Sequence, residues 1–203
     1  NFAAKERDGV AYQRGVWAAL VAINASKADP TVTPASRLSG QPDWVKLAAT
    51  YDEALGTSTA SQVLRQKLAA IGYPNQPVTD HEKAIEAMMS AAELMVKIAD
   101  GSNITLDPDL DTYYLLASLT SHFPGVLEHL TSITNAARVD QGKSVMTADD
   151  IVDYAIEQSH YGVHTESIEN NAKAAVAGTQ DAKLEGELGT AMSTALPLWQ
   201  DYQ

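Results

Sequence analysis

The positive charge of this chain is concentrated near its start. Residues 1–46 carry six Lys and Arg against four Asp and Glu, whereas the whole chain has a net charge of −12. Arg7 and Arg14 each lie four residues beyond a member of an apolar heptad stripe, which consists of Ala3, Val10 and Trp17. On a helix this spacing places both guanidinium groups beside the predicted core. Because arginine can hold a carboxylate through two parallel hydrogen bonds, Arg7 and Arg14 are candidate ligand-binding residues.

Two adjacent tyrosines, Tyr113 and Tyr114, are the second pair of candidate binding residues. A phenol can donate a hydrogen bond to a bound carboxylate while its ring forms a wall of the pocket. If the helix that ends near Asp100 runs toward the end that holds residues 5–14, the tyrosines come within reach of the arginines. The structural alternatives are that the arginines pair with acids on a neighbouring helix and that one tyrosine is core and the other surface.

The acidic residues of 107–111 give an incomplete calcium pattern. Asp107, Asp109 and Asp111 have the spacing that opens an EF-hand loop. The glycine and the glutamate that complete such a loop are replaced by Thr112 and Ser118. The same acids would attract a polyamine, which is the alternative ligand class.

A second pattern, Glu157 with His160, has the E-x-x-H spacing of di-iron helical bundles. A second copy is missing, so a di-metal enzyme is the less favoured hypothesis. His160 and His164 are interpreted as polar-face residues or as groups that form hydrogen bonds between helices, and His122 as a core histidine. The chain has no cysteine, Walker loop or G-x-S-x-G turn. We therefore predict no catalytic residue, no metal and no cofactor.

The elements that must position these residues are helices. Apolar residues recur at spacings of three and four almost throughout, and β-branched alternation never persists. The predicted helices span about 2–27, 42–55, 59–71, 80–100, 107–138 and 147–177, followed by a last helix that runs to the end. Pro42 and Asp107-Pro108 open helices, a capping box is predicted at Thr79–Glu82, and another at Thr147–Asp150. Pro124 is expected to kink the longest helix.

These helices predict an all-α fold, an antiparallel helical bundle in a single domain over residues 1–203. A short helix pair, about 42–72, is inserted between the long helices of this four-helix-bundle-like arrangement. The net charge of −12 argues against nucleic acid as a partner. The longest apolar run, 17–23, is too short for a membrane span, and both ends have the pattern of helices cut from a longer protein.

Segment 103–116 is the most distinctive stretch and reads NITLDPDLDTYYLL. It resembles the extracytoplasmic sensor domains of bacterial chemoreceptors, the methyl-accepting chemotaxis proteins, and of related sensor kinases. Segment 5–12, KERDGVAY, is similar to the stretch that follows their first membrane span. The resemblance implies a periplasmic domain of an inner-membrane receptor that is anchored by flanking spans and binds a small solute.

We therefore expect a sensory module that captures a small organic anion. It is expected to form a homodimer through its terminal helices. Ligand binding is expected to cause a helix displacement that is transmitted across the membrane in chemotaxis or two-component signalling. Two alternatives stay open. One is a polyamine-binding sensor, and the other is a structural or protein-interaction bundle without a small-molecule ligand.

Overall fold

The computed structural model describes residues 2–106, 109–141 and 145–200, and every regular element among them is a helical segment. The predicted all-α helical bundle is thereby confirmed. The chain divides into two compact units, Asn1–Leu106 and Asp107–Gln203. Each unit is described by itself, and the single domain that the sequence predicts stays a prediction.

The first unit is built from four α-helices in its described part. They are α1 (Phe2–Ala28), α2 (Trp44–Leu55), α3 (Ser58–Ala70) and α4 (His81–Gly101). Short 3-10 turns cover Pro34–Arg37 and Ile104–Leu106. α4 packs on α1 and α3, and α1 also packs on α2. The short pair α2–α3 therefore covers the two long helices, as expected.

The buried face of α1 differs from the predicted one. Tyr12, Val16 and Ile23 are fully buried, whereas Val10, of the predicted stripe, is 47% exposed. Ala3 of that stripe is exposed and Trp17 is half-buried. The predicted stripe is wrong because the true one includes Gly9 and Gln13, which do not register as apolar. Arg7 and Arg14, which flank the wrong stripe, are consequently exposed.

The buried polar residue Gln13 is satisfied inside the core. Its Nε2 donates a hydrogen bond to the carbonyl oxygen of Met95 at 3.0 Å, which joins α1 to α4. At Gly9 an added Cβ would lie 2.2 Å from the Ser102 Oγ, so only glycine permits this approach of α1 to the end of α4. The burial of the Gln13 amide costs little because the amide keeps this hydrogen bond to Met95.

The carboxylate of Asp52 on α2 connects three segments of the first unit. The Tyr12 hydroxyl of α1 donates to Asp52 Oδ1 at 2.8 Å, and the Thr57 hydroxyl donates to the same oxygen at 2.7 Å. The Ser61 hydroxyl of α3 donates to Asp52 Oδ2. Burial, and then the adjacent Asp52 carboxylate, raise the pKa of Tyr12, so this phenol stays a donor at physiological pH. Asp52 thus fixes α1, α2 and α3 relative to one another.

Local signals at the helix ends were largely predictable. Gly56 and Gly72 adopt the left-handed conformation with φ of 70° after α2 and α3. α2 begins two residues after Pro42, because Asp43 is the N-cap and accepts from the amide of Val45. The predicted cap Thr79 is wrong, since Asp80 caps α4 by accepting from the amide of Lys83.

The second unit contains α5 (Leu110–Ala117), a π-helical segment (Ser118–His122), α6 (Phe123–Asp140), α7 (Ala148–Gly178) and α8 (Ala182–Gln200). Its core is formed by α6 and α7. The fully or nearly buried members of that core are Val126, Ile133, Tyr161 and Ile168. The capping box predicted at Thr147–Asp150 is confirmed. The predicted helix start at Asp107-Pro108 lies outside the described residues, and Asp109 is the N-cap of α5.

The long helix predicted to kink at Pro124 is interrupted just before it. Pro124 has no N–H to donate to the preceding turn, and the amide of Phe123 donates five residues back to Ser118. The chain widens here into one π turn, in which the hydroxyls of Ser118 and Thr120 donate to the carbonyls of Tyr114 and Leu116. This turn sets the orientation of His122.

In the described parts of both units, no helix combines the length and the apolar composition that crossing a bilayer requires.

We expect Asp52→Ala to lower the free energy of unfolding by about 2–4 kcal/mol, because three hydroxyl donors lose their acceptor. The matched control is Glu53→Ala, which removes an exposed carboxylate from the next position of α2 and should change stability by less than about 0.5 kcal/mol. Urea unfolding followed by far-ultraviolet circular dichroism measures both. Equal effects of the two variants would contradict the role given to Asp52.

Gly101→Ala and Gly186→Ala should shift stability in opposite directions. A Cβ at Gly101 would lie 2.1 Å from the carbonyl oxygen of Leu55, whereas one at Gly186 meets no atom within 4 Å. The first change should destabilise by about 1–3 kcal/mol through overpacking. The second should stabilise by about 0.5–1 kcal/mol, since alanine favours a helix interior over glycine. Thermal unfolding of the two variants decides the signs.

Candidate functional site

A largely apolar hollow of the first unit lies between the loop before α2, the start of α2, α3 and the loop after α3. Its volume is about 660 Å³. The apolar lining includes Leu38, Pro42, Val45, Leu68 and Pro74, and the polar lining includes Ser39, Gln41, Asp43, Arg65 and Tyr73. An apolar cavity of this size with a few polar groups is typical of a small-molecule site. We call it the Trp44 pocket, after the indole in its wall.

The two loops of the Trp44 pocket are held by one hydrogen bond between backbone groups and by two hydrogen bonds to the Ser26 hydroxyl. The amide of Ala35 donates to the carbonyl of Pro74 at 2.8 Å, so the loop before α2 is joined to the loop after α3. The Ser26 hydroxyl donates to the carbonyl of Val32 at 2.6 Å and accepts from the amide of Val78 at 2.9 Å. The rim of the pocket is therefore anchored to the end of α1.

Arg65 and Trp44 form a cation–π pair in the pocket wall. The guanidinium carbon of Arg65 lies 5.4 Å from the centre of the Trp44 ring, and its Nη2 donates to the carbonyl of Val45 at 3.3 Å. Trp44 is 3% exposed. Arg65 itself is exposed, which leaves further N–H groups of the guanidinium accessible to a ligand.

Tyr73 is a neutral hydrogen-bond donor in this pocket. Burial raises the pKa of Tyr73 from 10.0 to about 12, the indole N–H of Trp44 lowers it, and the carboxylate of Asp43 raises it. The indole Nε1 of Trp44 is buried and makes no hydrogen bond of good geometry within the described residues, yet it lies near enough to the phenol to favour the phenolate. Arg65 and Tyr73 thus supply hydrogen-bond donors to the lining of the pocket.

Asp43 contributes negative charge to the pocket wall, but its oxygens are already engaged. Oδ1 accepts from the amides of Val45 at 3.0 Å and Lys46 at 3.4 Å. Oδ2 lies 3.7 Å from the Lys46 Nζ. Its main role is to cap α2, and the pocket therefore suits a molecule with an apolar body and one acceptor or anionic end.

The arginines predicted from the sequence lie elsewhere on the first unit. Arg7 and Arg14 line a hollow of about 400 Å³ whose described lining comes from α1 alone. Arg14 also lines a second hollow of about 340 Å³, together with Trp17, Arg37 and Gln41. Gln41 belongs to the Trp44 pocket as well. Arg14 therefore lies near a hollow to which another segment adds a second guanidinium, that of Arg37, whereas the described lining of the hollow beside Arg7 comes from α1 alone.

The predicted tyrosines belong to the second unit. Tyr113 on α5 is 58% exposed, and Tyr114 is half-buried. Their rings pack edge to face at 5.4 Å between centroids. The predicted meeting of these tyrosines with Arg7 or Arg14 stays a prediction.

The acidic pattern of 107–111 is only partly described. The Asp111 carboxylate accepts from the amide of Thr112 at 2.7 Å. A hydrogen bond with Thr179, followed by this amide, lowers the pKa of Asp111, which is consistent with a local cap. Asp107 lies outside the described residues. Within the described ranges no three His, Asp or Glu side chains are placed to hold a metal ion together.

Sequence reasoning missed Trp44, Arg65 and Tyr73. Trp44 follows Pro42-Asp43 at a helix start, and Tyr73 stands in a Gly-Tyr-Pro turn, so their positions alone indicate no binding role. An aromatic residue directly beside a helix start or a proline turn is a signal from which a pocket wall could have been predicted. Arg65 carried no signal, since it is one cation on an ordinary polar face.

Tyr73 gives the pocket a measurable signature at high pH. Because its pKa is raised to about 12, the folded state keeps this proton while the unfolded state loses it near pH 10. The stabilising contribution is complete below about pH 10 and is lost as pH rises through about 12. The phenolate absorbance that Tyr73→Phe removes should therefore appear near pH 12. Trp44→Phe should move it higher, because the indole N–H favours the phenolate. If the absorbance change that Tyr73→Phe removes is instead centred near pH 10, the burial of Tyr73 is contradicted.

Comparison with known proteins adds no assignment: no protein-family model, no curated protein and no solved structure matches this chain. The resemblance of segment 103–116 to chemoreceptor sensor domains therefore stays a sequence-based prediction. The function has to be argued from the geometry of the two units.

Proposed function

We propose that this chain is a sensory module that binds a small organic carboxylate in the Trp44 pocket. The observation that carries the proposal is the guanidinium of Arg65 over the Trp44 ring, at the wall of a largely apolar hollow of about 660 Å³. Arginine is the side chain best suited to a carboxylate, and the apolar walls suit a hydrocarbon or aromatic body. A monocarboxylate with such a body fits these walls better than a compact dicarboxylate.

The polyamine alternative fits this pocket less well. An amine would seek the aromatic face of Trp44 and the carboxylate of Asp43. The guanidinium of Arg65 already covers that face, and the Asp43 oxygens accept two backbone amides. A second cation there would be repelled by Arg65, so the electrostatics of the pocket favour an anion.

A bound ligand has a structural route to the long helices. Trp44 lies on α2 and Arg65 on α3, so a ligand that contacts both biases the spacing of this pair. The Asp52 carboxylate of α2 accepts from Ser61 of α3 and from Tyr12 of α1. A shift of α2 against α3 thereby changes the contacts of α1. The signal is the difference in affinity between the two helix arrangements.

The resemblance of segment 103–116 supplies the setting of the proposal. In that setting the module lies in the periplasm, in a receptor of chemotaxis or two-component signalling that flanking spans anchor in the inner membrane. It acts as a homodimer through its terminal helices, and the displacement of α1 is the output. Arg7 and Arg14 on the first unit, and Tyr113 and Tyr114 on the second, remain candidate ligand-binding residues of the proposal.

The test is calorimetric titration of the full chain with a panel of mono-, di- and tricarboxylates and with polyamines. We expect saturable heat with apolar monocarboxylates, and affinity that falls about 10–100-fold in Arg65→Ala, since a charged hydrogen bond contributes about 1.5–3 kcal/mol. Lys97→Ala, which removes an exposed cation from α4 of the same unit, is the matched control and should bind as the parent does.

The outcomes separate the candidate sites and functions. Loss of binding in Arg14→Ala with Arg37→Ala, but not in Arg65→Ala, would move the site to the second hollow. Heat with polyamines alone would support the polyamine sensor. A panel without heat, together with no rise in melting temperature at increasing ligand concentration, would reject the sensory proposal in favour of a structural bundle.

A further inference from the structure

Four of the five histidines of the chain meet where α6 and the π turn pack on α7. Ring centroids are 5.6 Å apart for His122 and His164, 5.5 Å for His129 and His164, and 5.0 Å for His129 and His160. We call these four residues the histidine cluster. Imidazole is the side chain whose charge ordinarily changes between pH 5 and 8, so the charge at this helix contact depends on pH.

His122 and His164 are hydrogen-bonded ring to ring. Their Nδ1 atoms are 3.3 Å apart. Such a bond needs one Nδ1 that carries a proton and one that does not, so at least one of the two rings has to be neutral. When both rings are protonated, both Nδ1 atoms are donors and the bond is lost. The contact then becomes a repulsion between two positive charges.

The backbone holds the two rings close together. A Cβ at Gly125 would lie 2.4 Å from His164 Nε2, so this ring rests against the backbone of α6 where only glycine leaves space. The π turn that carries His122 is joined to α7 by the hydrogen bond from Asn171 Nδ2 to the Ser118 Oγ at 3.1 Å. We expect a repulsion between the rings to be relieved by a movement of the π turn, because His164 has little room on the α6 side.

Negative charge that could offset protonation is scarce in the histidine cluster. Among the described residues, the one carboxylate bonded to it is Glu157, whose Oε2 lies 2.8 Å from His129 Nδ1. Glu128 of α6, the neighbour of His129, makes no hydrogen bond or ion pair with the four rings in the described structure. The groups that act electrostatically on His164 are imidazoles, those of His129, His122 and His160. Full protonation therefore places four positive charges beside one bonded carboxylate.

The charged groups of α5 act at another part of α7. The Asp111 carboxylate forms a hydrogen bond with Thr179, which is the C-cap of α7. Tyr113 is largely exposed and Tyr114 packs against it. In the described part of the unit, α5 thus offers no carboxylate to the bonded pair of rings.

The charged groups toward α8 lie on the other side of α7 or at its far end. Glu166 and Glu169 line a hollow together with Trp199 of α8. Glu166 stands two residues beyond His164 and therefore points to the opposite side of the helix. Lys183, at the start of α8, lies 3.7 Å from Glu187 of the same helix.

The folded unit resists the protonation of the bonded pair. Burial lowers the pKa of His122, and burial, followed by the neighbouring imidazoles, lowers the pKa of His164. An unfolded or opened histidine has a pKa near 6.5. Below about pH 6.5 the opened form therefore binds more protons than the closed form. The closed form loses stability as pH falls from there toward the lower pKa values of the packed rings.

We propose that the contact between the π turn and α7 is a pH-sensitive switch, which is closed at neutral pH and opens on acidification. In the closed form His122 and His164 share their hydrogen bond. In the open form both rings are charged, and the π turn has moved away from α7. The opening is local, because the apolar core of the unit still joins α6 to α7. This switch is independent of the Trp44 pocket and of the proposed carboxylate ligand.

The test is hydrogen–deuterium exchange of the full chain between pH 7.5 and 5, followed by mass spectrometry of peptides and corrected for the pH dependence of chemical exchange. Peptides that cover 118–126 and 160–168 should lose protection as pH falls below about 6.5. The loss should reach about tenfold per pH unit for each proton that the open form takes up. Peptides from α3, which contains no histidine, are the internal control and should keep their protection.

The variant that isolates the bonded pair is His122→Asn with His164→Asn. Asparagine removes both titrating groups and keeps a hydrogen-bonding side chain at each position. The pH dependence of protection should shrink in this variant to less than about twofold over the same range. His160→Asn is the matched control, because it makes the same change at an exposed ring one turn away on α7, and it should retain most of the wild-type pH dependence.

A second measurement does not depend on the folding of the variants. In the wild-type chain with labelled histidine, the imidazole resonances of His122 and His164 should titrate below pH 6.5, over the range in which protection is lost. The proposal would be overturned if both rings titrate at or above pH 6.5, or if protection of 118–126 is the same at pH 7.5 and 5. A loss of protection that persists unchanged in the double variant would also overturn it.

Discussion

The first unit depends on one shared carboxylate. Asp52 accepts hydrogen bonds from hydroxyl groups that belong to α1, to the turn after α2 and to α3. A charged acceptor in a partly dry site strengthens each bond and makes each expensive to lose. The relative positions of three helices are therefore set by polar geometry as well as by apolar packing. The wall of the Trp44 pocket includes residues of α2 and α3, so the spacing of these two helices sets the size of the pocket.

Helix type and most helix ends could be predicted because their signals are local. Gly56, Gly72 and the Thr147–Asp150 box act within a few residues of their own positions. The burial of α1 could not be predicted in the same way. Gly9 and Gln13 lie on the buried face for reasons found on α4, namely the Ser102 side chain and the Met95 carbonyl. Counting apolar residues along α1 cannot detect the packing and hydrogen-bond partners that α4 supplies.

The candidate sites escaped the sequence for a related reason. Trp44, Arg65 and Tyr73 are spread over thirty positions of the chain and meet only because α3 returns along α2 and its following loop is joined to the loop before α2. Four histidines of the second unit likewise meet only because α6 and α7 lie side by side, and they are His122, His129, His160 and His164. Half of this set, His160 with His164, was visible as a one-turn spacing, while His122 and His129 were separated from it by a helix connection. The spacing of residues along the sequence reveals a site only when all of its residues lie on the same helix.

Gln41 connects two hollows of the first unit. It lines both the Trp44 pocket and the hollow that Arg14 and Arg37 line. An amide has one orientation at a time, so a molecule in either hollow constrains what the other can accept. Two molecules held in the two hollows would therefore not bind independently, and each would raise or lower the affinity of the other.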